Sequence, residues 1–397
     1  MKESTMIYLK NADIVLEHEI ANNCDMLLKD GKILSIGKVD TKQYPDACEI
    51  DCENLYAVPG FIDIHVHGGG GYDFMDWETE AVEEILKIHQ RHGTTAIYPT
   101  TLASDIEETI KSIDRISRYK EGQSRDICQV MGIHLEGPYF NPVQKGAQPE
   151  KFIKIPQKQE YERLLSCPDV KRISFAPELD NSAELARYAE QNNLVGAIAH
   201  TNGSYNDVLK VMDYGVNLVT HLYSGMPVVY RENGYRQIGI AETGLLLDDL
   251  FVEVIADGKH LPKELLRFIY KNKGNDKLIL VTDAMRAAGQ EVTHSFLGSR
   301  EYGLPVTIRD GVAFAPDGEN FAGSIATMDR LVRNMVFLAG VSLVNAVKMA
   351  SLNAAKVMGI DRHKGSLKAG KDADIVLLDK DLYVKQVIIN GNLCPQA

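Results

Sequence analysis

The chain has 397 residues, 45% of them apolar and 25% charged, the composition of an ordinary globular protein. Its formal charge of −12 argues against a nucleic-acid or anionic-membrane surface, and no stretch of about 18 apolar residues is present to span a bilayer. The opening "MKESTMIYLKNADIVLEHE" lacks the apolar core of a secretory leader, and the six cysteines lack paired zinc-site spacing, so a reduced cytoplasmic protein is expected.

The first stretch reads as short strands, "MIYLKNADIVL", "DMLLKDGKILSIG" and "ENLYAVPG", with "KDGKI" as a hairpin turn. From Gly60 onward the pattern changes. Eight apolar, β-branched runs follow in order: "GFIDIHVH", "TTAIYPTT", "ICQVMGIHLEG", "VKRISFAPE", "LVGAIAHT", "VNLVTHL", "FVEVIADG" and "KLILVTDAM". Between most of them the spacing predicts helices, among them "TEAVEEILKIHQRHG", "SDIEETIKSIDRISRYKEG", "NSAELARYAEQNN", "SYNDVLKVMDYG" and "LPKELLRFIYKNKG". Several open with Thr, Ser or Asn and close with Gly, as helix caps require. The link between the sixth and seventh runs, "YRENGYRQIGIAETG", is glycine-rich and less helical. Apolar strands alternating with helices predict a parallel sheet covered on both faces. Eight such units predict an α/β fold closed into a (β/α)8 TIM-like barrel, with an open sheet as the alternative. After the eighth run come an excursion, "GSREYGLPVTIRDGVAFAPDGENFAG", and two helices, "TMDRLVRNMVFLAG" and "SLVNAVKMASLNAAKVMG". The chain ends as it began, in strands: "GSLKAGKDADIVLLDKD" and "LYVKQVIINGNL".

Five of the eight runs carry an ionisable residue at the C-terminal end. The first ends in Asp63-Ile64-His65-Val66-His67, where strand alternation puts Asp63, His65 and His67 on one face. The third ends in His134-Leu135-Glu136, the fifth in His200, the sixth in His221 and the eighth in Asp283. A lone strand-end histidine is usually a hydrogen-bonded structural residue. In a barrel, however, all these ends converge on one mouth, where that many buried polar groups are hard to satisfy without a cation. Imidazole and carboxylate ligands without Cys suit zinc, with iron, cobalt or manganese as alternatives. Asp283 is suited to act as a base beside a metal-bound water.

With these residues in view, the chain resembles a known family. "PGFIDIHVHG", "HLEGPY", "THLYSGM", "LVTDAM" and "AGKDADIVLLD" resemble the amidohydrolase superfamily. The narrower segments "HLEGPY", "IADGKH" and "FAGSIATM" resemble its N-acetylglucosamine-6-phosphate deacetylase family. The resemblance implies a barrel over residues 57–358 and a small β-sandwich built from both chain ends, 1–56 and 359–397. It implies hydrolysis of N-acetyl-D-glucosamine 6-phosphate to D-glucosamine 6-phosphate and acetate. Glu136, His200 and His221 then hold one catalytic metal, and His65 with His67 signal a second, bridged through Glu136. Asp283 falls on the family's catalytic Asp. Ala147 and Gln148 of "GAQP", Asp257 and His260 of "IADGKH", and Phe321, Ala322 and Gly323 of "FAG" fall on substrate positions.

Ser224 and Gly225 replace the Asn-Ala at which the family's backbone approaches the phosphate, and Arg231 falls on its phosphate arginine, which crosses a homodimer interface. The Ser-Gly departure leaves the sugar isomer open, N-acetylgalactosamine 6-phosphate included. A different amidohydrolase acting on an anionic amide and a non-enzymatic sugar-phosphate sensor are the competing readings. The run Gly68 to Gly71 lacks the Gly-Lys-Ser/Thr of a phosphate loop and reads as backbone passing close to metal and substrate. His18, His89, His92, His294 and His363 read as surface residues.

Overall fold

The eight apolar runs become the strands of a parallel barrel in the computed structural model, which describes residues 6–301 and 303–395. Residues 1–5, 302 and 396–397, parts of the expected terminal segments and excursion, lie outside the described residues. The strands are β1 (Phe61–Val66), β2 (Thr94–Thr101), β3 (Ile133–Glu136), β4 (Val170–Phe175), β5 (Val195–Ile198), β6 (Leu218–Val219), β7 (Phe251–Val254) and β8 (Leu278–Leu280). Each pairs in parallel with the next. The ring closes where Val66 bridges Ala284 in parallel; there the Asp283 amide donates to the His65 carbonyl at 2.9 Å. This closure sets the open sheet aside.

Every residue of β1, β2, β3 and β8 is buried, as parallel strands covered on both faces require. One apolar cluster joins strand residues Ile97, Leu135, Ile173 and Val252 to helix residues Val82, Ile113, Leu185 and Leu266. Side-chain caps head some of the expected helices, whereas Ala81–Arg91, Ser182–Gln191 and Lys263–Lys273 have none. Asp105 accepts from the Glu107 amide at the head of Ile106–Gly122, and Ser204 and Asp207 form a capping box at Tyr205–Met212. Two segments differ from expectation. The link between β6 and β7 is an exposed antiparallel hairpin, Tyr230–Glu232 with Tyr235–Gln237, followed by the short helix Ile240–Leu246. The last expected helix is two, Leu343–Ala350 and Leu352–Val357, broken at Ser351, whose backbone leaves the helical region at φ −143°, ψ −76°.

Both chain ends enter one continuous mixed sheet of eight strands, the form that the expected β-sandwich takes. Tyr56–Pro59 is its seam, parallel to Met6–Val15 and antiparallel to Ile375–Leu378. The turn in "KDGKI" joins Ile20–Lys29 to Lys32–Ile36 with Asp30 and Gly31 both at positive φ, the geometry of a two-residue hairpin. The sheet closes its own core around Leu9, Ile14, Met26, Ile375 and Ile388.

A buried ion pair sits where this sheet meets the barrel. Lys364 pairs with Asp374 and lies 3.1 Å from Asp372, while the Asp374 carbonyl accepts from Gly60, the residue before β1. Lys364 and Asp374 are each 6% exposed, so removing one charge strands the other. Lys364→Met is expected to destabilise the fold by about 3–5 kcal/mol, read as a lowered urea midpoint at unchanged slope. An unchanged midpoint would show that the pair carries no such load.

Candidate metal centre

The strand ends deliver their polar groups to one place. His65 and His67 come from the end of β1 and Glu136 from the end of β3. His200, His221 and Asp283 stand two or three residues beyond β5, β6 and β8. All six are buried. His200, His221 and Asp283 have φ of 44°, 27° and 46°, left-handed conformations that side-chain-bearing residues adopt at a cost of about 1–3 kcal/mol each. The strands break there in a way that turns the three side chains inward.

Glu136 is the hub. Its Oε1 lies 2.9 Å from His221 Nε2, 3.2 Å from His200 Nε2 and 3.5 Å from His65 Nε2. Its Oε2 lies 3.3 Å from His67 Nε2 and accepts from Gln148 Nε2 at 2.6 Å. Asp283 Oδ1 stands 3.2 Å from His67 Nε2 and 3.6 Å from His65 Nε2. Two overlapping sets of ligand atoms result, His65–Glu136–His221 and His65–His67–Asp283, each mutually within 4.8 Å. The grouping differs from the sequence expectation: His65 belongs to both sets, whereas His200 approaches Glu136 without completing either.

The imidazoles are oriented from behind. His200 Nδ1 lies 2.9 Å from the Gln144 carbonyl, His67 Nδ1 3.3 Å from the Thr100 carbonyl and His65 Nδ1 3.4 Å from Glu253 Oε2. Carbonyls and carboxylates only accept, so each Nδ1 carries the proton and each Nε2 faces the cluster. His65 Nε2 faces the cluster buried without a hydrogen-bond partner, which fits a group that accepts lone pairs. Burial works against charge on Glu136, but His65, followed by hydrogen bonds from His200 and His221, holds its carboxyl well below the usual range. Asp283 is likewise lowered against burial, by the His67 hydrogen bond and the charges of His65 and His67. Both acids are therefore anions, as metal ligands or a base must be.

A cavity of about 290 Å³ opens over this floor. Its walls include Ala147, Gln148, Ser224, Gly225, His260, Phe321 and Gly323, all expected from the sequence, and Tyr223, Glu319 and Asn320, which were not. Three expected residues do not line it. Asp257 stands behind His260, accepting its Nδ1 proton at 2.8 Å and two backbone amides. Ala322 is buried with its amide bonded to the Ala313 carbonyl. Arg231 lies on the exposed Tyr230–Glu232 strand. Among the described residues, no Lys or Arg lines the cavity.

Gly225 has φ +60°, and a Cβ there would stand 2.7 Å from His200 Nδ1 and 2.9 Å from the Gln144 carbonyl, so the Ser-Gly departure fits a loop packed tightly on His200. The run Gly68–Gly71 answers a different need from the expected one. A Cβ at Gly68 would meet the Tyr72 carbonyl and one at Gly69 would meet Ile88, so these glycines admit a neighbouring strand and helix rather than substrate.

His89 corrects the surface reading. It is fully buried, with Nε2 2.9 Å from the Gly68 carbonyl and its pKa pushed down to about 4 by burial. His134 is buried and satisfied, 3.2 Å from Thr100 Oγ1 and 2.7 Å from Ser174 Oγ, which is the structural role of a lone strand histidine. Arg172 and Glu253 lie beneath the floor and were missed. Their signal was a charge inside a strand run, next to Lys171 for Arg172 and between Val252 and Val254 for Glu253.

A sequence model of the amidohydrolase family matches residues 56–394. The chain is 32% identical to the N-acetylglucosamine-6-phosphate deacetylase of Bacillus subtilis, covering 99% of this chain and 98% of the relative. It is 30% identical to the N-acetylgalactosamine-6-phosphate deacetylase of Escherichia coli O157:H7, covering 97% and 98%. Among solved structures, the Thermotoga maritima N-acetylglucosamine-6-phosphate deacetylase aligns with a TM-score of 0.87 at 30% identity, covering 98% of this chain and all of that one. A Mycobacterium smegmatis deacetylase variant in complex with N-acetyl-D-glucosamine-6-phosphate aligns with a TM-score of 0.89 at 27% identity over 98% and 99%. The chain belongs to the amidohydrolase family and, within it, to the N-acetylglucosamine-6-phosphate deacetylases.

Proposed function

We propose that the protein is a metal-dependent deacetylase that hydrolyses N-acetyl-D-glucosamine 6-phosphate to D-glucosamine 6-phosphate and acetate. One observation carries the reading: five strands deliver six buried imidazole and carboxylate groups to one floor, with an unpartnered His65 Nε2 among them. Full-length relatives named as deacetylases agree with it. Residues 57–358 form the catalytic unit on this reading, and 1–56 with 359–397 flank it.

Glu136, His200 and His221, with His65 and His67, would hold a divalent metal, zinc by ligand type, that lowers the pKa of water and polarises the acetamido carbonyl. Asp283 takes the proton from the attacking water and returns it to the departing amine. His260, held by Asp257, faces the acetamido side. Ala147 and Gln148 meet the sugar, the backbone of Phe321–Gly323 frames it, and the amides of Ser224 and Gly225 approach the phosphate.

The charge for that phosphate comes from a second copy of the chain. Among the described residues the cavity wall offers no Lys or Arg, while Arg231 stands on an exposed hairpin beside Val228, Val229 and Tyr235, themselves 47%, 47% and 76% exposed. We infer a cytoplasmic homodimer in which each hairpin covers its partner's cavity. A second reading, N-acetylgalactosamine 6-phosphate as substrate, is left open by Ser224-Gly225 and is supported by the relative named for that sugar.

Acetate release from both sugar phosphates, with and without chelator, tests the reading: release is expected from at least one and should stop on metal removal. No release from either by metal-replete protein would sink it. Asp283→Asn should lower kcat by at least about 100-fold with metal retained. Wild type should bind more than one metal equivalent per chain, and His65→Gln with His67→Asn should lower this to one. Arg231→Ala should raise KM for phosphorylated substrate by about 10–100-fold, the loss of one charge-assisted contact. Mixing Arg231→Ala with Asp283→Asn chains should restore activity, because one site of each mixed dimer is intact. No restoration would place Arg231 on its own subunit's site.

A further inference from the structure

Arg172 on β4 and Glu253 on β7 are fully buried and paired directly beneath the strand-end cluster. Arg172 also donates to the Ile64 carbonyl at 3.0 Å and to Thr220 Oγ1 at 2.9 Å. Glu253 turns its second oxygen upward: Oε2 lies 3.4 Å from His65 Nδ1 and accepts the His221 amide at 3.3 Å. An apolar pair could fill that volume without the desolvation cost of two buried charges, so packing alone does not explain it. The three oriented imidazoles are not alike. His67 and His200 lean on neutral carbonyls, Thr100 and Gln144, whereas His65 leans on a carboxylate. His65 is also the residue common to both sets of ligand atoms, and its Nε2 is the atom left unpartnered.

We propose that Glu253 is a positioning residue for the metal centre. By accepting the Nδ1 proton of His65 it fixes Nε2 as the ligating atom and raises its donor strength, while Arg172 keeps Glu253 charged and in place. Through the His221 amide the same carboxylate sets the backbone that carries a second ligand. Because His65 belongs to both sets of ligand atoms, Glu253 acts on every position that His65 helps to hold. The inference rests on the metal-dependent reading above.

The test measures metal affinity and spectrum rather than turnover. Zinc affinity is determined by chelator competition and the Co2+ form by visible absorption, in wild type and Glu253→Gln. Glu253→Gln leaves Arg172 unneutralised and could unfold, so Glu253→Gln with Arg172→Met, which removes both charges, is measured beside it. Each folded variant should bind zinc about 10–100-fold more weakly, with an altered Co2+ spectrum. In a His65→Asn background the Glu253 change should have no further effect on affinity. Wild-type affinity in the doubly neutral variant, or an equal loss in the His65→Asn background, would overturn the role of Glu253 alone. A wild type that binds no divalent metal would instead overturn the metal reading itself, and this inference with it.

Discussion

The structure is organised around a buried cluster of carboxylates and imidazoles that must be held in one arrangement. Glu136 alone is approached by His65, His67, His200, His221 and Gln148, and Asp283 shares two of those histidines. All of these are buried, where an unpaired ionised group is expensive. The surrounding chain answers this constraint locally. Left-handed backbone at His200, His221 and Asp283 turns three side chains inward, and acceptors behind three imidazoles fix which nitrogen faces in. The cluster is held rather than merely assembled, as a site that must not reorganise during reaction requires.

The same constraint explains the contacts between the loops after β1 and β8. The amides of His67 and Gly68 both donate to the Ala284 carbonyl, at 2.8 and 2.9 Å, which ties a proposed ligand to the residue after the proposed base. Farther out, Arg286 grips Asp76 with two hydrogen bonds, at 2.6 and 2.8 Å, and reaches the Gly71 carbonyl at 2.9 Å. A buried bidentate arginine is rigid in a way a single contact is not. It locks the glycine run onto the β8 loop, and His89 holds the Gly68 carbonyl from the helix side. The loop carrying His67 is thus fixed from both neighbours.

Much of this was legible in the sequence because it obeys local periodicity. Eight apolar runs gave eight strands, and alternation put Asp63, His65 and His67 on one face. The cap at Ser204 marked a helix start. What escaped depends on partners distant in sequence. Arg172 and Glu253 are ordinary charges until β4 and β7 face each other across the barrel interior. His89 sits on a helix, and only the return of the Gly68 loop across that helix buries it. The break at Ser351 has no proline or glycine to announce it. The hairpin bearing Arg231 was announced locally by Asn233-Gly234, both at positive φ, a signal hidden when the link is read only as glycine-rich.

The remaining physical question is how a chain of formal charge −12 attracts an anionic substrate into a cavity whose walls, among the described residues, carry no Lys or Arg. The floor supplies two carboxylates, Glu136 and Asp283. On the metal-dependent reading, one divalent ion only cancels these two and leaves the Glu319 carboxylate on the wall, so the cavity presents no net attraction of its own. A second ion leaves the floor positive, directly below the place where Ser224 and Gly225 offer backbone amides. The His65–His67 pair then does more than add a ligand set. On that reading it converts a neutral floor into one that draws in a phosphate. Seen this way, the carboxylate behind His65 matters to substrate capture as well as to chemistry, because whatever secures the second ion also secures the sign of the field in the cavity.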